Sequence, residues 1–255
     1  MWRQIKGIEV TSEFRGVKFR FVPEGSLASV MSKEAIREEL DDDDLPWTPE
    51  LDCLVNFIHS RAQKLFAITV RYVGLTPLEL RKAMKAFMSK RAVPFTDENL
   101  PVEPQHDDRD HILASFNENP RRPVWTDLRI DYFCTNQWKF LAPVLKVATS
   151  LQYNHDFEEA IILPFVKCYD VGSDRGGFGQ VHKYAIHPNH LDDPEKAVRY
   201  EHVAIKEIQP RIEKDWQGMV KGWEHEASIL QQMNALQQEH IVRFLTAFRH
   251  GDEGK

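Results

Sequence analysis

Late in the chain an apolar run, Val203-Ala204-Ile205, ends on Lys206, and the helical stretch that follows carries Glu226 within its apolar stripe. At 100° per residue Trp216, Met219, Val220, Trp223, Ala227, Leu230 and Met233 fall on one face, with Glu226 among them. A buried ammonium or carboxylate is costly unless it is paired, so Lys206 needs carboxylate or phosphate company, and Glu226 can supply it. The pattern predicts a strand and a long helix that pack together, with both charged groups facing inward.

A glycine cluster precedes this pair: Asp174-Arg175-Gly176-Gly177-Phe178-Gly179-Gln180-Val181. Glycines let backbone amides approach phosphate oxygens and adopt positive φ, which is what a phosphate-cradling loop requires. A Walker loop needs Gly-Lys-Ser/Thr ahead of a helix, and here Gly177 is followed by Phe178 and Gly179. A Rossmann turn also leads into a helix, whereas Val181, Tyr184 and Ile186 lead into a β-type run. What remains is a glycine-rich β-hairpin. Such glycines can also simply turn the chain, and Lys206 with Glu226 can be a structural pair.

Taken in order, the glycine hairpin, the lysine-ended strand and the glutamate-bearing helix resemble the amino-terminal lobe of the protein kinase superfamily, over about residues 160 to 255. The resemblance implies that Lys206 contacts the α- and β-phosphates of ATP and that Glu226 ion-pairs with it. It implies that Gly176, Gly177 and Gly179 form a lid over the phosphates, with Phe178 at its tip, and that Val181 and Ala204 supply apolar contact to the adenine. Asp174 stands where the family has its first loop glycine, and its carboxylate adds repulsion toward phosphate. The 255 residues contain no His-Arg-Asp and no Asp-Phe-Gly sequence, so the catalytic base and the magnesium-binding aspartate are not supplied. Magnesium is accordingly expected only in a complete kinase. The implied molecule is the ATP-binding lobe of a serine/threonine protein kinase, truncated before the hinge and inactive by itself; the alternative is a non-catalytic, pseudokinase-like scaffold. A looser likeness to kinase-domain proteins of filamentous fungi rests on Asn136-Gln-Trp138-Lys-Phe140-Leu-Ala-Pro143, Leu163-Pro-Phe165 and Ile186-His-Pro188.

Upstream, the signals are helical. Thr48-Pro49 and Thr76-Pro77 each place a capping residue before a proline suited to the first helical turn, and Glu79 completes a capping box with Thr76. Leu51, Leu54, Val55, Ile58, Ala62, Leu65 and Phe66 recur at helical spacing after the first of these starts. A short helix is expected over Ser32 to Leu40, and Asp41 to Asp44 then read as a hydrated linker. Val17, Phe19 and Phe21 alternate with Lys18 and Arg20 as in a half-buried strand. Residues 94 to 123 read as a long irregular connection, and Trp125, Tyr132, Phe133, Trp138 and Phe140 as core or interdomain packing. Residues 187 to 202, with His187 and His190, read as an exposed loop without a metal site, and Val242 to Phe248 as a strand.

The expected architecture is α+β: a largely helical region over 1–158, then an incomplete kinase-like lobe over 159–255, built of an antiparallel sheet plus one long helix. The aromatic amino-terminal region is the candidate docking surface for a protein partner. A net charge of −6 gives no global basic field for nucleic acid or an anionic membrane. Cys53, Cys134 and Cys168 are odd in number and widely spaced, which points away from a disulfide framework and toward a reducing, intracellular setting. Neither a signal sequence nor a membrane-spanning run is recognisable, and a soluble protein is expected.

Overall fold

Capping residues set where the amino-terminal helices begin. A computed structural model describes residues 1–42, 46–103, 111–147, 154–169, 180–192, 202–207, 216–234 and 243–251. After the short α1 (Trp2–Ile8), Ser32 accepts a hydrogen bond from the Ala35 amide at 3.1 Å and starts α2 (Lys33–Leu40). Asp41 and Asp42 follow α2, and the rest of the aspartate run lies outside the described residues. Pro49 opens α3 (Pro49–Arg61), although Thr48 bonds Glu50 rather than a backbone amide. The Thr76–Glu79 capping box forms, with Pro77 as the first residue of α5 (Pro77–Ser89).

One long helix was expected from Pro49 through Phe66, and the chain instead breaks it at Ala62 into α3 and α4 (Gln63–Ile68). The cause is remote in sequence. Both carboxylate oxygens of Asp97 accept backbone amides, from Lys64 and Leu65, each at 2.9 Å, and so start a fresh helix there. Leu54, Val55, Ile58, Leu65 and Phe66 remain buried on either side of the break. The irregular connection after α5 is likewise tied down. Gln137, fully buried near the end of α6 (Asp127–Gln137), accepts from the Val102 amide and donates to the Val102 carbonyl, while Asn117 does the same for Trp125. Phe87 packs against Phe95, Phe116 and Trp125 with ring centroids 5.2, 4.8 and 5.5 Å away. Trp125, Phe133 and Phe140 are core residues as expected, whereas Tyr132 is exposed.

Two compact units result, Met1–Val10 with Arg20–Leu141, and Thr11–Phe19 with Ala142–Lys255. The boundary expected at 158/159 therefore falls between Leu141 and Ala142. The reason is strand pairing: β3 (Leu145–Lys146) runs parallel to β7 (Leu191–Asp192), and β4 (Asn154–Phe157) parallel to β9 (Ala247–His250). Both early strands thus belong with the sheets of the second unit. So does the outer part of the hairpin formed by β1 (Val10–Phe14) and β2 (Val17–Phe21), of which the sequence pattern marked β2 but not its partner. Its turn has positive φ at both Arg15 (50°) and Gly16 (75°), the twist that two-residue hairpin loops favour. Val17 and Phe19 are exposed, so the alternation in β2 buries only Phe21.

The central sheet of the second unit is antiparallel, in the order β5 (Phe165–Tyr169), β6 (Gln180–Ile186), β8 (Val203–Glu207), followed in sequence by α7 (Trp216–Asn234). Its core gathers Leu145, Leu163, Phe165, Tyr184 and Ile186. Phe14 of the hairpin packs with its ring tilted, 5.4 Å from Phe165 and 5.5 Å from Tyr184 between centroids, and Ser12 donates to the Leu163 carbonyl at 2.6 Å. The molecule is thus a mixed α and β protein. Among the described residues no helix is long and apolar enough to cross a membrane.

Candidate functional site

Strand alternation decides which way each residue of β8 points. Val203 and Ile205 are partly buried and Glu207 is buried, whereas Ala204 and Lys206 are exposed. In the antiparallel register with β6, Lys206 lies opposite Val181 and Ala204 opposite Lys183, and both of those β6 residues are exposed as well. Val181, Ala204 and Lys206 therefore share one open face of the sheet.

Helix α7 brings Glu226 to this face. Lys206 Nζ donates to both carboxylate oxygens of Glu226, at 2.5 and 2.8 Å, joining strand and helix through a charge-assisted contact across 20 sequence positions. The pairing follows the expected partners, but its setting does not. The two side chains are 40% and 42% exposed, so the ammonium is not buried and Glu226 does not face a dry interior. The physical reason is the alternation just described, which turns every second residue of β8 to the open face of the sheet. Trp223, Ala227 and Leu230 of the apolar stripe point the same way as Glu226 and line a cleft of about 570 Å³, together with Phe165, Ile205 and Phe248. Gly176, Gly177, Phe178 and Gly179 lie outside the described residues, as do Asp174 and the side chains of Trp216 and Met219.

Two residues absent from the sequence reading stand on the opposite side of β8. Glu207 is buried, and Arg15 from the hairpin turn donates to its Oε2 at 3.0 Å. The period-2 pattern Val203, Ile205, Glu207 would have revealed the orientation of Glu207, but nothing in the sequence links it to a residue 192 positions earlier.

The expected exposed loop after β6 is corrected at its start. His187 caps a one-turn helix, Pro188–His190, by accepting the Asn189 amide at 3.3 Å, and burial holds its pKa below the usual range. His190 is fully buried, with Nδ1 2.9 Å from the Pro143 carbonyl, so that nitrogen carries the proton. The parallel β3–β7 pairing immediately follows and seals it in. The expected strand over 242–248 is also shorter and later: residues 243–246 are irregular and β9 covers Ala247–His250. No group of three or more metal-ligating side chains occurs among the described residues.

In the amino-terminal unit His111 and Cys134 approach at 3.5 Å and invite a nucleophile-and-base reading. Proton placement argues against it. His111 Nδ1 accepts the Leu113 amide at 3.1 Å, so in the neutral ring Nε2, the nitrogen nearest the thiol, already holds the proton. Burial lowers the imidazole pKa and pushes the Cys134 thiol up to about 11, the direction opposite to activation.

No family model, curated protein or solved structure matches the chain.

Proposed function

We propose that the second unit is a nucleotide-binding lobe of protein-kinase type, in which Lys206 receives the phosphates of ATP and Glu226 holds the ammonium in place. The observation that carries this reading is the bidentate Lys206–Glu226 contact on an open face it shares with Val181 and Ala204. An exposed lysine steadied by one carboxylate keeps a hydrogen-bond donor available, since an ammonium has three and the pair occupies two. Val181 and Ala204 give the same face two small apolar surfaces against which a purine ring can lie. On this reading the activity is ATP binding; the 255 residues carry neither the catalytic base nor the magnesium-binding aspartate of a kinase, and phosphoryl transfer by them is not expected.

The test is competition between magnesium-ATP and a fluorescent ATP analogue on the intact chain. Binding that is displaced by ATP and falls at least tenfold in Lys206→Met supports the lobe reading, and analogue binding unchanged by that substitution refutes it.

A second reading, a non-catalytic interaction module, is favoured by Leu128 and Tyr132, which are 61% and 48% exposed one helical turn apart on α6. Recovery of a stoichiometric partner that is lost on Leu128→Asp would support that docking role.

A further inference from the structure

Glu207 presents a second, unclaimed feature. Its side chain is only 5% exposed, Oε2 is held by Arg15, and Oε1 is buried with no hydrogen-bond partner among the described residues. Buried polar atoms are almost always satisfied, and an orphaned acceptor on a charged group carries a desolvation penalty that persists until a donor arrives. Glu207 and Arg15 both line the cleft of about 570 Å³ that Lys206 and Glu226 also line, and its apolar walls include Phe165, Trp223, Leu230 and Phe248. That volume lies within the range of about 300–1,000 Å³ found for small-molecule sites, and so does the combination of apolar walls with one oriented polar group. A lone water is a poor occupant, because it needs two to four polar partners and most of this wall is carbon.

We propose that this cleft binds a small aromatic molecule bearing one hydroxyl or N–H, which Glu207 Oε1 accepts. Arg15 already balances the charge of Glu207, so the ligand supplies a donor rather than a full positive charge. Adjacent strand residues point to opposite faces, so Glu207 and Lys206 approach the cleft from different sides of β8, yet Val181, Ala204, Lys206 and Glu226 line it too, and the aromatic ligand and a nucleotide would share it.

Two probes of nearly equal shape separate the donor from the apolar body: 1-naphthol, which carries a hydroxyl, and 1-methylnaphthalene, which does not. Titrated into the full chain and followed by calorimetry or ligand-observed NMR, 1-naphthol should bind at least about tenfold more tightly, the ratio expected for one hydrogen bond to a charged acceptor. Glu207→Leu should abolish the preference. Leu230→Trp, which fills the cleft from its half-buried wall, should weaken both probes, with circular dichroism showing that the fold is kept. Equal affinity for the two probes, binding of neither, or undiminished binding to a folded Leu230→Trp chain would each overturn the proposal. No nucleotide enters the measurement, so its failure leaves the ATP reading untouched.

Discussion

Replacing Lys206 with methionine separates two accounts of the same ion pair. Were the pair buried, removing one partner would strand a charge in a low-dielectric interior at a loss of about 3–5 kcal/mol. The side chains are instead 40% and 42% exposed, and water screens them. Exposed pairs contribute about 0.2–1 kcal/mol, and for a unit of this size that lowers Tm by at most about 5 °C. Methionine also keeps most of the aliphatic stem of lysine, so little apolar surface is lost. Differential scanning calorimetry of the wild type, Lys206→Met, Glu226→Gln and the double variant gives the coupling energy directly. The expected result is small single effects, coupling below about 1 kcal/mol and a further decline in coupling at high salt. A Tm loss above about 10 °C in Lys206→Met, or coupling near 3 kcal/mol, would show that the pair is a structural, desolvated one and would refute the reasoning from exposure.

Other expectations follow from the amino-terminal unit. Phe87→Ala removes a fully buried ring at the centre of the Phe95, Phe116 and Trp125 cluster, and should destabilise by about 3–5 kcal/mol, read as a fall in the urea midpoint. A loss under 1 kcal/mol would mean that the cluster does not hold the unit together. Burial lowers the pKa of His111 in the folded state, so the unfolded chain takes up this proton first as pH falls through about 6.5. Stability is then full above about pH 7 and declines below 6.5; the urea midpoint should drop between pH 7.5 and 5.5, and drop less in His111→Gln. A midpoint that rises on acidification, or an equal drop in the variant, contradicts this assignment. Iodoacetamide should modify the exposed Cys53 first and the buried Cys134 only on unfolding, as mass spectrometry of timed samples would show. Equal labelling rates would mean that the Cys134 thiol is neither buried nor raised.

Local chemistry was legible wherever a residue acts on its near neighbours. Ser32 and the Thr76–Glu79 box mark helix starts because a cap needs only the next three amides, and β6 could be read from the β-prone residues Val181, Tyr184 and Ile186, the last two of which lie two apart on its buried face. The Lys206–Glu226 partnership was expected from the cost of burying two charges; the partners do meet, but 40% and 42% exposed, so the premise of burial does not hold.

Tertiary structure alone decided what depends on residues far apart. Asp97 splits the helix after Arg61 from more than 30 positions away, and Arg15 reaches Glu207 across 192. The degree of exposure of Lys206 could not be read from its apolar neighbours, because only the packing around β8 determines which face of an alternating strand is covered. Pairing of β3 and β4 with later strands moved the boundary between units, since backbone hydrogen bonds between strands are indifferent to most side chains and leave little trace in sequence. Short-range capping and periodicity thus belong to the sequence, while burial, and with it the energetic weight of every charge, belongs to the fold.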